Sequence, residues 1–287
     1  MIFSVGTKQM ENKEKKILEI LHSISENKGF PDKLSCISEN IIAFLEKKDV
    51  RFRLSEDKVF SVQENAQKQV FTNKRRGFKI YRNGLKNRLD FLLRSYCLHN
   101  VVFFEKDVVI DCGANYGDLF LALRSSIDPK NYFAFEPDPD AFNALQKNIP
   151  RRSHAMQIAL GEKNGDYGFY ISSAEADSSL IEPVNWDTKI TVPVVRLDAF
   201  LDANQINSVK LLKLEAEGSE PEILKGLGEA LKKVHYIAID GGCERGVDCE
   251  ETFSACANYL IKNGFYLVEV FSPWLRALFE QRKIEVR

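Results

Sequence analysis

From residue 107 onward, short apolar runs alternate with amphipathic stretches, and this rhythm limits the fold more than any other property of the chain. Residues 108–110 (Val-Val-Ile) read as a continuous apolar strand, closed by Asp111 with two glycines close behind. A helix follows over 119–123, a strand over 132–135, a helix over 139–147 and a third strand over 155–160. The fourth strand spans 209–214 and leads to a helix that starts near Pro221. The fifth spans 236–239 with a helix over 250–262, and 265–271 is the last strand. Strands that alternate with helices pair in parallel through right-handed crossovers. The pattern therefore predicts an α/β fold, a doubly wound sheet with helices on both faces.

Residues 165–195 interrupt the alternation. Strands at 168–172 and 190–195 flank a polar stretch with Ser172, Ser173, Ser178 and Ser179. A long insertion of this kind sits at the rim of a sheet, often as a lid or substrate loop. Ahead of the alternation, 14–24 and 34–45 carry apolar residues at helical spacing, and 51–54 and 59–62 flank Ser55-Glu56-Asp57-Lys58 as a hairpin. Residues 67–82 are basic (Lys68, Lys74, Arg75, Arg76, Lys79, Arg82). They read as a solvated face, with contact to an acidic substrate or lipid headgroups as the alternative. A helix over 87–98 leads into the sheet. The chain thus divides into a helical and hairpin extension, 1–100, and an α/β domain, 101–287.

Composition excludes several classes. The 287 residues carry 40 basic and 41 acidic side chains, a formal net charge of -1, which gives no global footprint for nucleic acid. No apolar run approaches the roughly 20 residues of a membrane-spanning helix, and Lys13, Lys15 and Lys16 precede no signal-peptide core. Cys36, Cys97, Cys112, Cys243, Cys249 and Cys256 form no C-x-x-C pair, so they read as reduced thiols of a cytoplasmic protein.

The stretch Asp111-Cys112-Gly113-Ala114-Asn115-Tyr116-Gly117-Asp118 follows a strand and precedes a helix, the context in which a glycine loop carries meaning. Gly113 permits a sharp turn and Gly117 a close approach of helix to sheet. The spacing G-x-N-x-G differs from the dinucleotide fingerprint G-x-G-x-x-G, and Asp118 would oppose a pyrophosphate at the helix start. A ligand with ribose, adenine and a zwitterionic tail fits better. Asp111 then faces an ammonium, and the loop N–H groups hold a carboxylate. The second strand ends Phe135-Glu136-Pro137-Asp138. An acid there, about 20 residues after the loop, accepts both ribose hydroxyls, a role that suits Glu136 with Asp138 toward the adenine. The plain alternative makes both acids strand-end caps.

Four stretches together resemble the FkbM-type methyltransferase family: DCGANYGD at 111–118, FEPDP at 135–139, VPVVRLDAF at 192–200 and LLKLEAEGSEPEILKG at 211–226. The resemblance covers roughly residues 75–240. It implies a Rossmann-like class I methyltransferase sheet, S-adenosylmethionine as cofactor and methylation of a hydroxyl oxygen. It places Ala159 and Ser179 near the adenine pocket. Family acceptors are sugars of glycolipids and surface glycans, and natural products. The family's usual aspartate in its K-I-D element is Glu215 here, which keeps the carboxylate but sets it one methylene farther out.

A sugar hydroxyl is a poor nucleophile at neutral pH, so a general base or a metal such as Mg²⁺ is expected. The end of the fourth strand is the edge where α/β folds place ligands, which makes Glu215 and Glu217 the leading acids. Alternation along the strand is expected to let only one of them reach the site, and Glu215 is the metal candidate if a metal takes part. Lys213 and Glu220 rank lower, and Lys213 pairs with a neighbouring acid in the plainer reading. Asp240 is an alternative base, and Gly241-Gly242 with Glu244 and Arg245 offer a second pocket wall. His154 and His235 precede strands, at the wrong edge of the sheet.

The favoured function is O-methylation of a sugar hydroxyl in a glycan, glycolipid or precursor. The alternatives are O-methylation of a small natural product and a non-catalytic cofactor-binding partner module, with a dinucleotide-dependent dehydrogenase last. The extension and the insertion are candidates for shaping the acceptor pocket or a homodimer contact.

Overall fold

A computed structural model describes residues 15–27, 29–172 and 178–282; Ser173 and Glu14 lie outside them. The chain forms two compact units, and the boundary falls between Arg88 and Leu89, upstream of the change in sequence pattern near residue 100.

The first unit contains α1 (residues 15–26), α2 (Asp32–Leu45), β1 (Arg51–Leu54), β2 (Phe60–Glu64), β3 (Gln67–Phe71) and α3 (Lys74–Tyr81). The expected hairpin is a three-stranded antiparallel meander, because β3 continues the pairing. Its core is aromatic: Phe52, Phe60, Phe71, Phe78 and Tyr81 are buried and meet mostly edge to face. Helix α2 mixes the usual order. It buries Ser35, Ser38 and Glu39 along with Cys36, Ile42 and Ala43, and exposes Leu34, Ile37, Ile41 and Phe44. Two members of the basic run are tied internally, Lys74 to Asp32 and Arg82 to Glu26 and Glu39, so that stretch is not simply a solvated face.

The boundary lies within α4 (Leu85–Ser95). Then come β4 (Val109–Cys112), α5 (Asp118–Leu123), β5 (Tyr132–Phe135), α6 (Pro139–Asn148), β6 (His154–Met156) and β7 (Ala159–Leu160). These are followed by β8 (Gly165–Ile171), β9 (Thr188–Val195), α7 (Leu197–Ala203), β10 (Val209–Leu214), α8 (Glu220–Leu227) and β11 (Val234–Asp240). The last elements are α9 (Phe253–Lys262), β12 (Phe265–Phe271) and β13 (Arg276–Gln281). The main sheet has the order β12-β13-β11-β10-β4-β5-β6. Strands β6, β5, β4, β10 and β11 are mutually parallel, and β13 runs antiparallel between β11 and β12. This is an α/β, Rossmann-like architecture with helices on both faces, wound in both directions from β4.

Two expectations need correction. Residues 265–271 are not the last strand, since β13 follows and inserts between β11 and β12. The expected third strand, 155–160, breaks in two. Its first part pairs with β5, and its second leaves the sheet to pair with β9 in a three-stranded sheet of order β7-β9-β8.

Alternation along each central strand sends side chains to two cores. Ile110, Cys112, Phe133, Phe135, Ile237, Ile239, Ala277 and Phe279 face α7, α8 and α9. Val109, Tyr132, Ala134, Ala238 and Leu278 face α5, α6 and Tyr96. With a period of two, Asp111, Lys213, Asp240 and Arg276 all fall on the second face. The polar network of the site is thus the continuation of one apolar layer to the edge of the sheet.

Candidate active site

The turn from β4 to α5 is built from its backbone. Gly113 and Ala114 both donate to the Phe135 carbonyl, at 3.0 and 3.1 Å. Gly113 has φ +70°, and a Cβ there would lie 1.8 Å from the Glu215 carbonyl oxygen. Only glycine allows this loop to press against the end of β10. Gly117, at φ +82°, ends the loop where α6 packs, and a Cβ would meet Leu145 at 2.9 Å. Between them Asn115 takes φ +48°, and its side-chain Oδ1 is buried without a hydrogen-bond partner. Ala114 is buried in the core below, and Asp118 opens α5.

Glu136 stands at the end of β5, buried and held by two backbone amides. Its Oε2 accepts from Asn115 N at 2.7 Å and its Oε1 from Asp138 N at 2.9 Å. Burial pushes its pKa up to about 7. A carboxylate accepts about four hydrogen bonds, so each oxygen keeps a lone pair for a ligand hydroxyl. Asp138, after Pro137, behaves as the plainer reading expected of a cap. Its Oδ1 accepts from Asp140 N and Ala141 N at the start of α6, and its Oδ2 accepts from the Ser178 hydroxyl at 2.9 Å.

At the ends of β10 and β11 the acids are held by cations instead. Lys213 lies directly opposite Asp111 in the β10–β4 register. Lys213 is 2% exposed, and its ammonium sits 3.0 Å from Asp111 and 2.9 Å from Glu215 and donates to the Gly113 carbonyl at 2.8 Å. Asp111 therefore faces the ammonium of this chain's own lysine, and it also accepts from the Tyr132 hydroxyl. Asp240 lies opposite Arg276 in the β11–β13 register. The Arg276 guanidinium donates to Asp240 at 2.6 Å, to Glu215 at 2.9 Å and to Ser95 at 3.0 Å. It also stacks over Tyr96 at 4.3 Å and Trp274 at 4.7 Å. Desolvation raises the pKa of Asp240, and Arg276 opposes that rise. Each carboxylate at this edge thus meets a cation, the condition under which charges persist away from water.

The chain leaves β10 at Leu214 and turns. Alternation does not separate Glu215 from Glu217, as residues two apart on a strand share a face. The separation comes from the turn, where Glu217 takes φ +48° and its carbonyl accepts from the Ser179 hydroxyl at 2.7 Å. Glu220 holds this turn from inside, accepting from Ala216 N at 2.7 Å and from the Thr252 hydroxyl at 3.1 Å, and burial pushes it up to about 7. Arg245 clamps the other side through Glu222 and the Gly218 carbonyl.

The structure brings Asp111, Glu215 and Asp240 into one network, groups Glu136 with the glycine loop, and joins Ser179 to Glu217. Ala159 packs with Phe169, Val192 and Val194 in the smaller sheet. His154 and His235 lie at the opposite edge of the sheet, at the starts of β6 and β11. Sequence reasoning missed Arg276, Tyr96 and Thr252. A signal for Arg276 existed: a buried strand-end acid such as Asp240 needs a cation, and Arg276 opens the apolar run Ala277-Leu278-Phe279.

The loop suits S-adenosylmethionine, with Glu136 to take ribose hydroxyls and the orphaned Asn115 Oδ1 to accept from a ligand donor. The donor set suits a divalent metal poorly, because both oxygens of Glu215 are engaged by cations. Among the described residues no group of three or more His, Cys, Asp or Glu is placed to hold a metal.

The profile of the family described as "Methyltransferase FkbM domain" matches residues 111–265, more than half of the chain. The chain is 29% identical over 147 residues to the hexuronic acid methyltransferase AglP of Haloferax volcanii, covering 50% of this chain and 59% of that protein. It is 29% identical over 152 residues to the 2-O-methyltransferase NoeI of Sinorhizobium fredii, covering 45% and 61%. A third relative, the 31-O-demethyl-FK506 methyltransferase FkbM of Streptomyces tacrolimicus, is 27% identical over 173 residues, covering 49% and 66%. The matches therefore span about three fifths of the first two relatives' lengths.

Proposed function

This chain belongs to the FkbM methyltransferase domain family, and we propose that it is an S-adenosylmethionine-dependent O-methyltransferase whose acceptor is a sugar hydroxyl. The observation that carries the reading is the pair of edges just described: a glycine loop with a buried, amide-held Glu136, beside carboxylates held in place by Lys213 and Arg276. The sugar acceptor draws its support from the relative named for hexuronic acid. The relative named for FK506 keeps a small natural product as the second reading.

S-adenosylmethionine, when bound, supplies a methyl group on a sulfonium whose thioether leaves without acid assistance. The protein's share is alignment and proton removal. Glu136 accepts the ribose hydroxyls with its remaining lone pairs, and the Asn115 Oδ1, since the Gly113, Ala114 and Asn115 amides are spent within the protein, accepts from a donor of the polar tail. Glu215 orients the acceptor hydroxyl, with Asp240 beside it across Arg276 and Glu217 at the rim. The acceptor oxygen becomes strongly acidic as it gives its electron pair to the methyl carbon. The Glu215 carboxylate, held between two cations, then takes the proton.

Calorimetric titration tests the first part: S-adenosylmethionine and S-adenosylhomocysteine should bind and NAD should not. Binding of NAD alone would overturn the reading. Glu215→Gln should keep cofactor affinity and lose methyl transfer to sugar acceptors. EDTA should leave transfer unchanged, and a loss restored by Mg²⁺ would return the metal to Glu215.

A further inference from the structure

The β8–β9 insertion displays an ordered aromatic surface that methyl transfer itself does not require. Trp186 is 43% exposed and meets the Tyr170 ring edge to face at 5.3 Å. The Lys189 ammonium lies 4.4 Å from the Tyr170 ring centre and donates to its hydroxyl at 2.8 Å. That hydroxyl in turn donates to Glu182 at 3.1 Å. The Lys189 stem is laid across Gly168, where a Cβ would come within 2.3 Å of its Cε. Here the lysine and the glutamate both hydrogen-bond the hydroxyl of one half-open aromatic pair.

The same segment is tied to both edges of the candidate site. Tyr170 and Ser179 exchange backbone hydrogen bonds at 2.8 and 3.0 Å. Ser179 then bonds the Glu217 carbonyl, and Ser178 bonds the Asp138 carboxylate. Paired backbones lie roughly 5 Å apart, so Tyr170 stands one backbone spacing and one side-chain hydrogen bond from Glu217.

We propose that Tyr170, Trp186, Lys189 and Glu182 form a carbohydrate subsite that binds a second pyranose ring of the acceptor, so that the acceptor is an oligosaccharide rather than a single sugar. The inference rests on the sugar-methylating reading and names the size of its substrate. The C–H face of a pyranose carries partial positive charge and packs on the electron-rich face of an aromatic ring. Its equatorial hydroxyls reach outward to a carboxylate acceptor and an ammonium donor, which Glu182 and Lys189 supply. Rigid aromatic anchors lose little conformational entropy on binding, so such a surface gains affinity at small area.

The test uses the full chain with S-adenosylhomocysteine present, applied to a microarray of mono- to hexasaccharides of hexoses and hexuronic acids. Chains of two or more sugars should be retained over the corresponding monosaccharides. Trp186→Ala should weaken that retention about tenfold or more, the size of one lost anchor, and Trp186→Phe should restore most of it. Lys189→Met should weaken it less. Affinity of Trp186→Ala for S-adenosylhomocysteine, measured by calorimetry, should match the parent and so report an intact fold. Retention of no glycan, or equal retention by the parent and Trp186→Ala, would overturn the subsite. Glycan retention without S-adenosylhomocysteine binding would support the subsite and sink the methyltransferase reading instead.

Discussion

Glu136 and Glu215 stand on the same edge of one sheet and are held in opposite ways. Glu136 is gripped by two backbone amides, and burial lifts it to about 7. Glu215 is gripped by Lys213 and Arg276, one cation to each oxygen. The amides fix the position of Glu136 and oppose the upward pull of burial without cancelling it. The cations fix the position of Glu215 and balance its charge.

The comparison breaks most sharply at Arg276. Arg276→Leu removes a cation from two carboxylates and should destabilise the protein by about 3–5 kcal/mol, read by chemical denaturation. Arg276→Lys should recover part of this, as one ammonium cannot reproduce a planar fork. Equal stability of Arg276→Leu and the parent would mean that the network is not what holds this edge. Gly113→Ala comes next. Its Cβ would fall 1.8 Å from the Glu215 carbonyl, so loop and turn must part. A loss of about 2–3 kcal/mol is expected, with loss of S-adenosylhomocysteine binding.

Protonation sharpens the contrast at Glu136. A group whose pKa rises on folding, here from 4.5 to about 7, favours the folded state at acid pH. Its contribution is complete below pH 4.5 and is lost as pH climbs through 7, by at most about 3 kcal/mol. Glu220 adds the same sign over the same window. Ribose hydroxyls donate best to the ionised form, so S-adenosylhomocysteine affinity should rise between pH 6 and 8 and flatten in Glu136→Gln. An unchanged profile in that variant would remove Glu136 from the ribose. The smallest effect is at Asp138, where Asp138→Ala should cost about 1 kcal/mol as a lost N-cap, with Ser178 released.

How far the site was legible follows from this division. The glycine loop and its acid were readable because one short stretch carries them: strand, Gly113, Gly117, then Glu136 after the next strand. The cation-held network was half readable. Glu215 and Asp240 stand at strand ends that apolar runs announce, yet their partners come from far along the chain. Arg276 sits on an antiparallel strand with no crossover helix to signal it. The third strand misled for a related reason, since Ala159-Leu160 is as apolar as residues 155–156 but pairs in another sheet. In the first unit, α2 reads as an ordinary amphipathic helix, but Ser25 and Arg82 draw Glu39 inward, so that it is buried along with Cys36, Ile42 and Ala43. Pattern reports which residues share a face; it does not report which face a buried ion pair will claim.

The place of β13 also sets an order of events. A ribosome delivers β4, β5, β10 and β11 first, and until the chain beyond Trp274 emerges, Asp240 and Glu215 lack their guanidinium. During that interval β11 presents an unpaired edge, Asp240 lacks its cation and Glu215 keeps only Lys213. The polar network at this edge is therefore completed by β13 rather than by the glycine loop.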